Sequence, residues 1–106
     1  MTVSAPFRED VETRFLRLLE DWKDRVKLLS NEKQMVLLRP YQNIIGMGLP
    51  AVPLLLRELE RDPHWLFWAL ESITGTDPVP VEDRGNLAAM CNHWRAWGIT
   101  EGFINS

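Results

Sequence analysis

The chain has 106 residues, a formal net charge of −3 and 45% hydrophobic residues, values that fit one globular domain with a single core. No apolar run approaches the roughly 20 residues of a membrane-spanning helix, and residues 1–10 lack the basic and apolar regions of a secretion signal. A single cysteine, Cys91, cannot form an internal disulfide, which agrees with a reducing compartment. We therefore expect a cytoplasmic protein without membrane contact.

The first predicted element is a long amphipathic helix that begins near Asp10. Residues 1–9 show no periodic pattern and are predicted to be a flexible arm, whereas residues 10–106 are predicted to form one helical domain. After Asp10, apolar residues recur at three- and four-residue steps, which places them on one helix face. They are Val11, Phe15, Leu18, Leu19, Trp22, Val26 and Leu29. Residues 30–33 break this pattern, and residues 34–38 fit either a helical turn or an extended connector.

A helical hairpin is predicted around residues 41–61. Its first helix covers residues 41–47 and ends at Gly46 or Gly48 as a left-handed cap. Its second helix begins near Pro50, because the first turn of a helix tolerates the missing N–H of proline. The residues that this second helix turns towards the core are Val52, Leu55, Leu56 and Leu59.

The last two predicted helices are rich in tryptophan. The helix over residues 63–74 is apolar on nearly all sides, so it is either central in the fold or covered by a partner. Gly75 ends it, and residues 76–83 form an extended connector. The final helix covers about residues 84–97 and ends at Gly98, with a fold-back of the remaining chain through Phe103. We predict an all-α fold, a compact single domain of four to five helices without strands.

Residues 41–75 resemble a HEAT-type repeat. Residues 48–55 read Gly-Leu-Pro-Ala-Val-Pro-Leu-Leu, and Asp62-Pro63 precedes another apolar helix. In HEAT repeats a glycine ends one helix, a Pro-Ala-x-Pro-like segment opens the next, and Asp-Pro begins the following repeat. The resemblance implies a HEAT-like helical hairpin.

Residues 40–75, with Trp94 and Trp97 after them, are also similar to a family of small uncharacterised bacterial proteins. The shared segments are Tyr-x-x-Ile-Ile-Gly-Met-Gly, Pro-Ala-Val-Pro-Leu and a Trp-x-Phe-Trp-Ala-Leu-like run, followed by Ile-Thr-Gly. This resemblance implies a bacterial origin and a common fold, and it carries no activity with it.

Two His-Trp dipeptides mark the candidate functional surface. In each, a second tryptophan follows three residues after the first, and helical spacing places both rings of a pair on one face. If the last two helices pack together, the four rings form one aromatic wall with the histidines near its edge. The residues concerned are His64, Trp65, Trp68, His93, Trp94 and Trp97. The pattern is typical of a buried core, because an aromatic ring buries roughly 150–250 Å², and it also fits a docking surface.

As a docking surface, this region gains further anchors from neighbouring arginines, since Trp, Tyr and Arg dominate the energetics of protein interfaces. Arg57, Arg61 and Arg95 are the arginines concerned. The predicted partner-binding residues are Arg61, His64, Trp65, Trp68, His93, Trp94, Arg95 and Trp97.

Residue spacing gives little support to a metal site or to catalysis. Cys91 and His93 are two positions apart, which on a helix points them about 200° from each other, and no CxxC or HxxxH pair exists. A thiol among apolar neighbours is typical of a core, and acids such as Glu58 and Glu60 fit a solvated face. We therefore predict no cofactor, no metal and no enzymatic activity.

We predict a non-catalytic protein–protein interaction module that binds a protein partner, or a second copy of itself, through a Trp-rich helical surface. One alternative is an antitoxin-like or inhibitory partner of a neighbouring gene's enzyme. Another is a nucleic-acid-associated protein, which the first helix disfavours because its basic residues alternate with acidic ones. No small-molecule substrate is predicted.

Overall fold

The first helix, α1 at Val11–Val26, buries one apolar face in the core, as its pattern predicts. The buried side chains of α1 are Phe15, Leu18, Leu19 and Trp22. Asp10 caps the helix, because its Oδ1 accepts a hydrogen bond from the Thr13 N–H at 2.7 Å. The same hydrogen bonding lowers the pKa of the Asp10 carboxyl.

The computed structural model describes residues 9–63 and 66–105. The predicted flexible arm lies outside the described residues except for Glu9, whose carboxylate accepts a hydrogen bond from Arg17 at 2.8 Å. Within the described residues, no helix is long and apolar enough to cross a membrane.

Two short helices, α2 at Glu32–Leu37 and α3 at Arg39–Gly46, follow the first. From the sequence, residues 34–38 fit either a helical turn or an extended connector. A helix forms there because the Asn31 side chain accepts a hydrogen bond from the Lys33 N–H at 2.8 Å and so caps it. This extra helix brings the described residues to six α-helices, where four to five were predicted.

The predicted hairpin turns at Gly48, whose φ of 73° lies in the left-handed region that favours glycine. Gly46 lies inside α3, so Gly48 is the left-handed residue of the two that were proposed. A 3₁₀ turn at Leu49–Ala51 leads into α4 at Val52–Glu58. All four residues predicted to face the core are buried: Val52, Leu55, Leu56 and Leu59.

The remaining helices are α5 at Leu66–Thr74 and α6 at Leu87–Thr100. Gly75, with a φ of 68°, follows α5 as predicted, and the connector after it contains one 3₁₀ turn at Val81–Asp83. The predicted end of α6 at Gly98 is wrong, because the helix continues to Thr100.

One core joins these elements. The helix α3 packs against both α1 and α5, while α4 packs against α5 and α6. Two buried hydrogen bonds fix this arrangement: the Trp22 indole N–H donates to the Met35 carbonyl at 2.6 Å, and the Ala69 N–H donates to the Tyr41 hydroxyl at 2.9 Å. The all-α prediction is confirmed, and the described residues contain no strand.

Candidate functional site

A cleft of about 480 Å³ opens between α4, α6 and the segment that follows α6. Apolar side chains form its floor: Pro53, Leu56, Leu59, Cys91, Phe103 and Ile104. Polar side chains form its rim: Arg57, Glu60, Asn92, Arg95 and Asn105. A concave apolar surface with a few converging polar groups has the character of a ligand-binding site.

Gly98 allows the two walls of the cleft to approach each other. A Cβ at this buried position would lie 2.5 Å from Leu56 Cδ1 and 3.2 Å from Ile104 Cγ1. Both distances are shorter than ordinary van der Waals contact, so only glycine fits without displacement of a neighbour. The residue that the sequence suggested as a helix cap is therefore the contact point between α6 and α4.

The chain after α6 folds back and completes the floor. The Phe103 N–H donates to the Gly98 carbonyl at 2.8 Å, and the Gly102 N–H donates to the Ile99 carbonyl at 3.1 Å. With Gly102 at a φ of 82°, these bonds form a Schellman motif. The Phe103 ring stacks on Trp97 with a centroid separation of 5.4 Å. Trp97 therefore supports the floor from behind.

An ion pair connects the two walls at the rim. Arg95 Nη1 on α6 donates to Glu60 Oε1 at 2.9 Å, and both side chains are more than half exposed. Arg57, on the α4 side, approaches Glu12 of α1 at 3.6 Å and is also exposed. Exposed ion pairs contribute only about 0–1 kcal/mol, so little free energy is lost when a ligand replaces one partner of such a pair.

The tryptophans predicted as one surface occupy separate environments. Trp94 is fully buried and meets Trp97 edge to face at 5.3 Å, so it belongs to the core and presents no surface to a partner. Trp68 is 52% exposed and borders a separate shallow groove with Glu71 and Ser72. The predicted wall does not form among the described rings, because α5 packs mainly on α3 and α4, and α6 packs mainly on α4.

The other predicted partner-binding residues are also dispersed. Arg61 is exposed and does not line the cleft; it borders a groove between α1 and α4 that shares Arg57 and Glu60 with the cleft. The His93 ring lies 2.7 Å from the Asp83 carboxylate, which joins α6 to the preceding connector. His64 and Trp65 lie outside the described residues. Of the predicted set, Arg95 lines the cleft and Trp97 supports it.

Cys91 lies half-buried in the cleft, with its Sγ 3.9 Å from the Leu59 carbonyl oxygen. Burial raises the pKa of its thiol, which disfavours the reactive thiolate. His93, two residues further on, is directed at Asp83 instead. Within residues 9–63 and 66–105, no three His, Cys, Asp or Glu side chains are grouped as a metal site would need.

Sequence reasoning missed two features near the cleft. Glu58 was assigned to a solvated face, but its side chain is buried and lies 3.6 Å from Lys23 Nζ on α1. The pairing of Glu60 with Arg95 was also missed, because these residues are far apart in sequence and the folded chain brings them together. The signal for the fold-back was present in Gly102-Phe103, a glycine followed by an apolar residue as in a Schellman motif.

No family model, no curated protein and no solved structure matches this chain. The resemblance of residues 41–75 to a HEAT-type repeat and of residues 40–75 to a bacterial family therefore remains a prediction.

Proposed function

We propose that this chain is a non-catalytic protein–protein interaction module whose α4–α6 cleft receives a segment of a protein partner. The observation that supports the proposal is the cleft itself, a concave apolar floor with a charged rim. This function is the one predicted from the sequence, but we assign it to the cleft instead of to a tryptophan surface.

The floor of the cleft favours an apolar side chain as the anchor of the partner. Cys91, Phe103 and Ile104 are each only partly buried, so they retain apolar area that a partner can cover. Burying one large apolar side chain contributes about 1.5–3 kcal/mol. Anchors of this kind, seated in a central pocket and surrounded by polar contacts, supply most of the binding energy in protein interfaces.

The proposal can be tested with a phage-displayed library of random peptides selected on the immobilised full-length chain. Retained peptides would be synthesised, and their affinities measured for the wild type and for the Asn92→Trp variant. Asn92 is exposed on α6 at the cleft rim, so a large side chain there blocks the cleft without disturbing the core. Glu20→Trp, on the exposed face of α1, is the matched control.

We expect Asn92→Trp to abolish binding and Glu20→Trp to leave it unchanged. Amide chemical shifts should respond to the peptide at Cys91, Phe103 and Ile104. Failure to retain any peptide, or retention that Asn92→Trp leaves intact, would reject the cleft as a binding site. Light scattering tests whether the occupant is a second copy of the chain. In that case the wild type would have a mass near twice 12.3 kDa, and Asn92→Trp would have the mass of the monomer.

A further inference from the structure

We infer, resting on the proposed function, that the cleft recognises a peptide in which an apolar anchor lies next to a carboxylate, and that this carboxylate replaces Glu60 on Arg95. Two observations support this peptide chemistry: the sign of the charges at the rim and the way in which Arg95 is held.

The rim of the cleft has a positive excess on a negatively charged protein. Among the residues that line the cleft, Arg57 and Arg95 provide two positive charges and Glu60 one negative charge, which gives +1, whereas the whole chain carries −3. Arg57 also contacts Glu12, outside the cleft lining, at 3.6 Å, but this pair is exposed and therefore weak. The two arginines also belong to opposite walls: Arg57 lies on α4 and Arg95 on α6. An acidic group in the cleft is therefore attracted by both arginines, while a basic group would be repelled by both.

Arg95 is held in a way that permits exchange. It contacts Glu60 through Nη1 at 2.9 Å, and a guanidinium has five N–H donors. Both partners are largely exposed, so the pair is weak in water. A carboxylate delivered by a peptide that also fills the apolar floor is partly shielded from solvent, and its charge-assisted hydrogen bonds are correspondingly stronger.

This exchange predicts opposite effects for the two members of the ion pair. Arg95→Gln removes the cation and should weaken the selected peptides about tenfold, the effect of one lost hydrogen bond to a charged group. Glu60→Gln removes the competitor and should strengthen the same peptides several-fold. Arg39→Gln, at an exposed arginine on α3 outside the cleft, should leave the affinity unchanged.

The experiment uses the peptides selected on the wild-type chain, their Asp→Asn or Glu→Gln forms, and fluorescence polarisation to measure affinity. Compared with the carboxylate form, the amide form of each peptide should bind the wild type about tenfold more weakly. It should bind Arg95→Gln with almost the same affinity, because the contact with Arg95 is already absent in that variant. Dissociation constants should also rise with salt concentration, as expected for an exposed charge contact.

Three results would overturn the inference and leave the proposed function standing: selected peptides that bind in the cleft but are basic or uncharged, affinities that Arg95→Gln does not change, or a Glu60→Gln variant that binds more weakly. The cleft could instead bind a small apolar ligand, for which the fatty acid decanoate is a probe. A cleft that binds decanoate but no peptide would overturn both the inference and the proposed function. A carboxylate peptide whose affinity responds to Arg95 and Glu60 in opposite directions would establish the inference.

Discussion

At the scale of single residues, Gly98 and Gly46 provide a matched pair of helical glycines. In Gly98→Ala, the new methyl group meets Leu56 at 2.5 Å, and overpacking of this kind costs about 1–3 kcal/mol. In Gly46→Ala, at the last residue of α3, nothing lies within 4 Å of the new methyl group, so the reduced conformational freedom of the unfolded chain should stabilise the protein by about 0.4–1 kcal/mol. Urea denaturation should show opposite shifts, and equal shifts would contradict the close approach of α6 and α4.

Tyr41 provides a second prediction, because it is the only tyrosine in the sequence and its hydroxyl is buried. Burial, assisted by the nearby charge of Glu71, raises the pKa of Tyr41 against the opposing effect of the Ala69 hydrogen bond. The folded state therefore favours the protonated hydroxyl. The stability that this provides is fully present below the ordinary pKa of 10.0 and is lost as the pH rises above it.

We expect tyrosinate absorbance to appear only above the ordinary titration range and together with loss of helical circular dichroism. Tyr41→Phe should make the free energy of unfolding less dependent on pH in this alkaline range. At neutral pH the same substitution should cost about 1–2 kcal/mol, because it removes the acceptor of the Ala69 N–H. A tyrosine that titrates with its ordinary pKa while the helices remain intact would contradict the buried position.

At the scale of elements, the Schellman motif after α6 determines whether the cleft has a complete floor. Gly102→Ala forces a side chain into a φ of 82°, at a cost of about 1–2 kcal/mol, and releases Phe103 and Ile104. Gly85→Ala is the matched control, because Gly85 has a φ of 90° but lies outside the cleft. Both variants should be destabilised similarly, but only Gly102→Ala should weaken peptide binding and speed hydrogen exchange at the Phe103 amide.

Local sequence patterns predicted the elements better than the contacts between them. The apolar stripe of α1 correctly identified Phe15 and Trp22 as core, since helical periodicity depends only on neighbouring residues. Gly98 was assigned to a cap, because a glycine needed for close approach and a glycine needed for a left-handed turn look identical in a sequence. The cleft was missed for the same reason: its walls come from segments whose proximity depends on tertiary packing.

At the scale of the whole molecule, the single core predicts cooperative unfolding. The buried cluster includes Trp22 of α1 and Trp94 of α6, so neither end of the described fold has a core of its own. We expect tryptophan fluorescence and helical circular dichroism to give the same urea midpoint, with a slope of about 1–3 kcal/mol per molar urea. The amides of Ala69 and Trp94 should exchange with the same free energy, equal to that of global unfolding. Earlier exchange at Trp94 would show that α6 opens separately and that the cleft is transient.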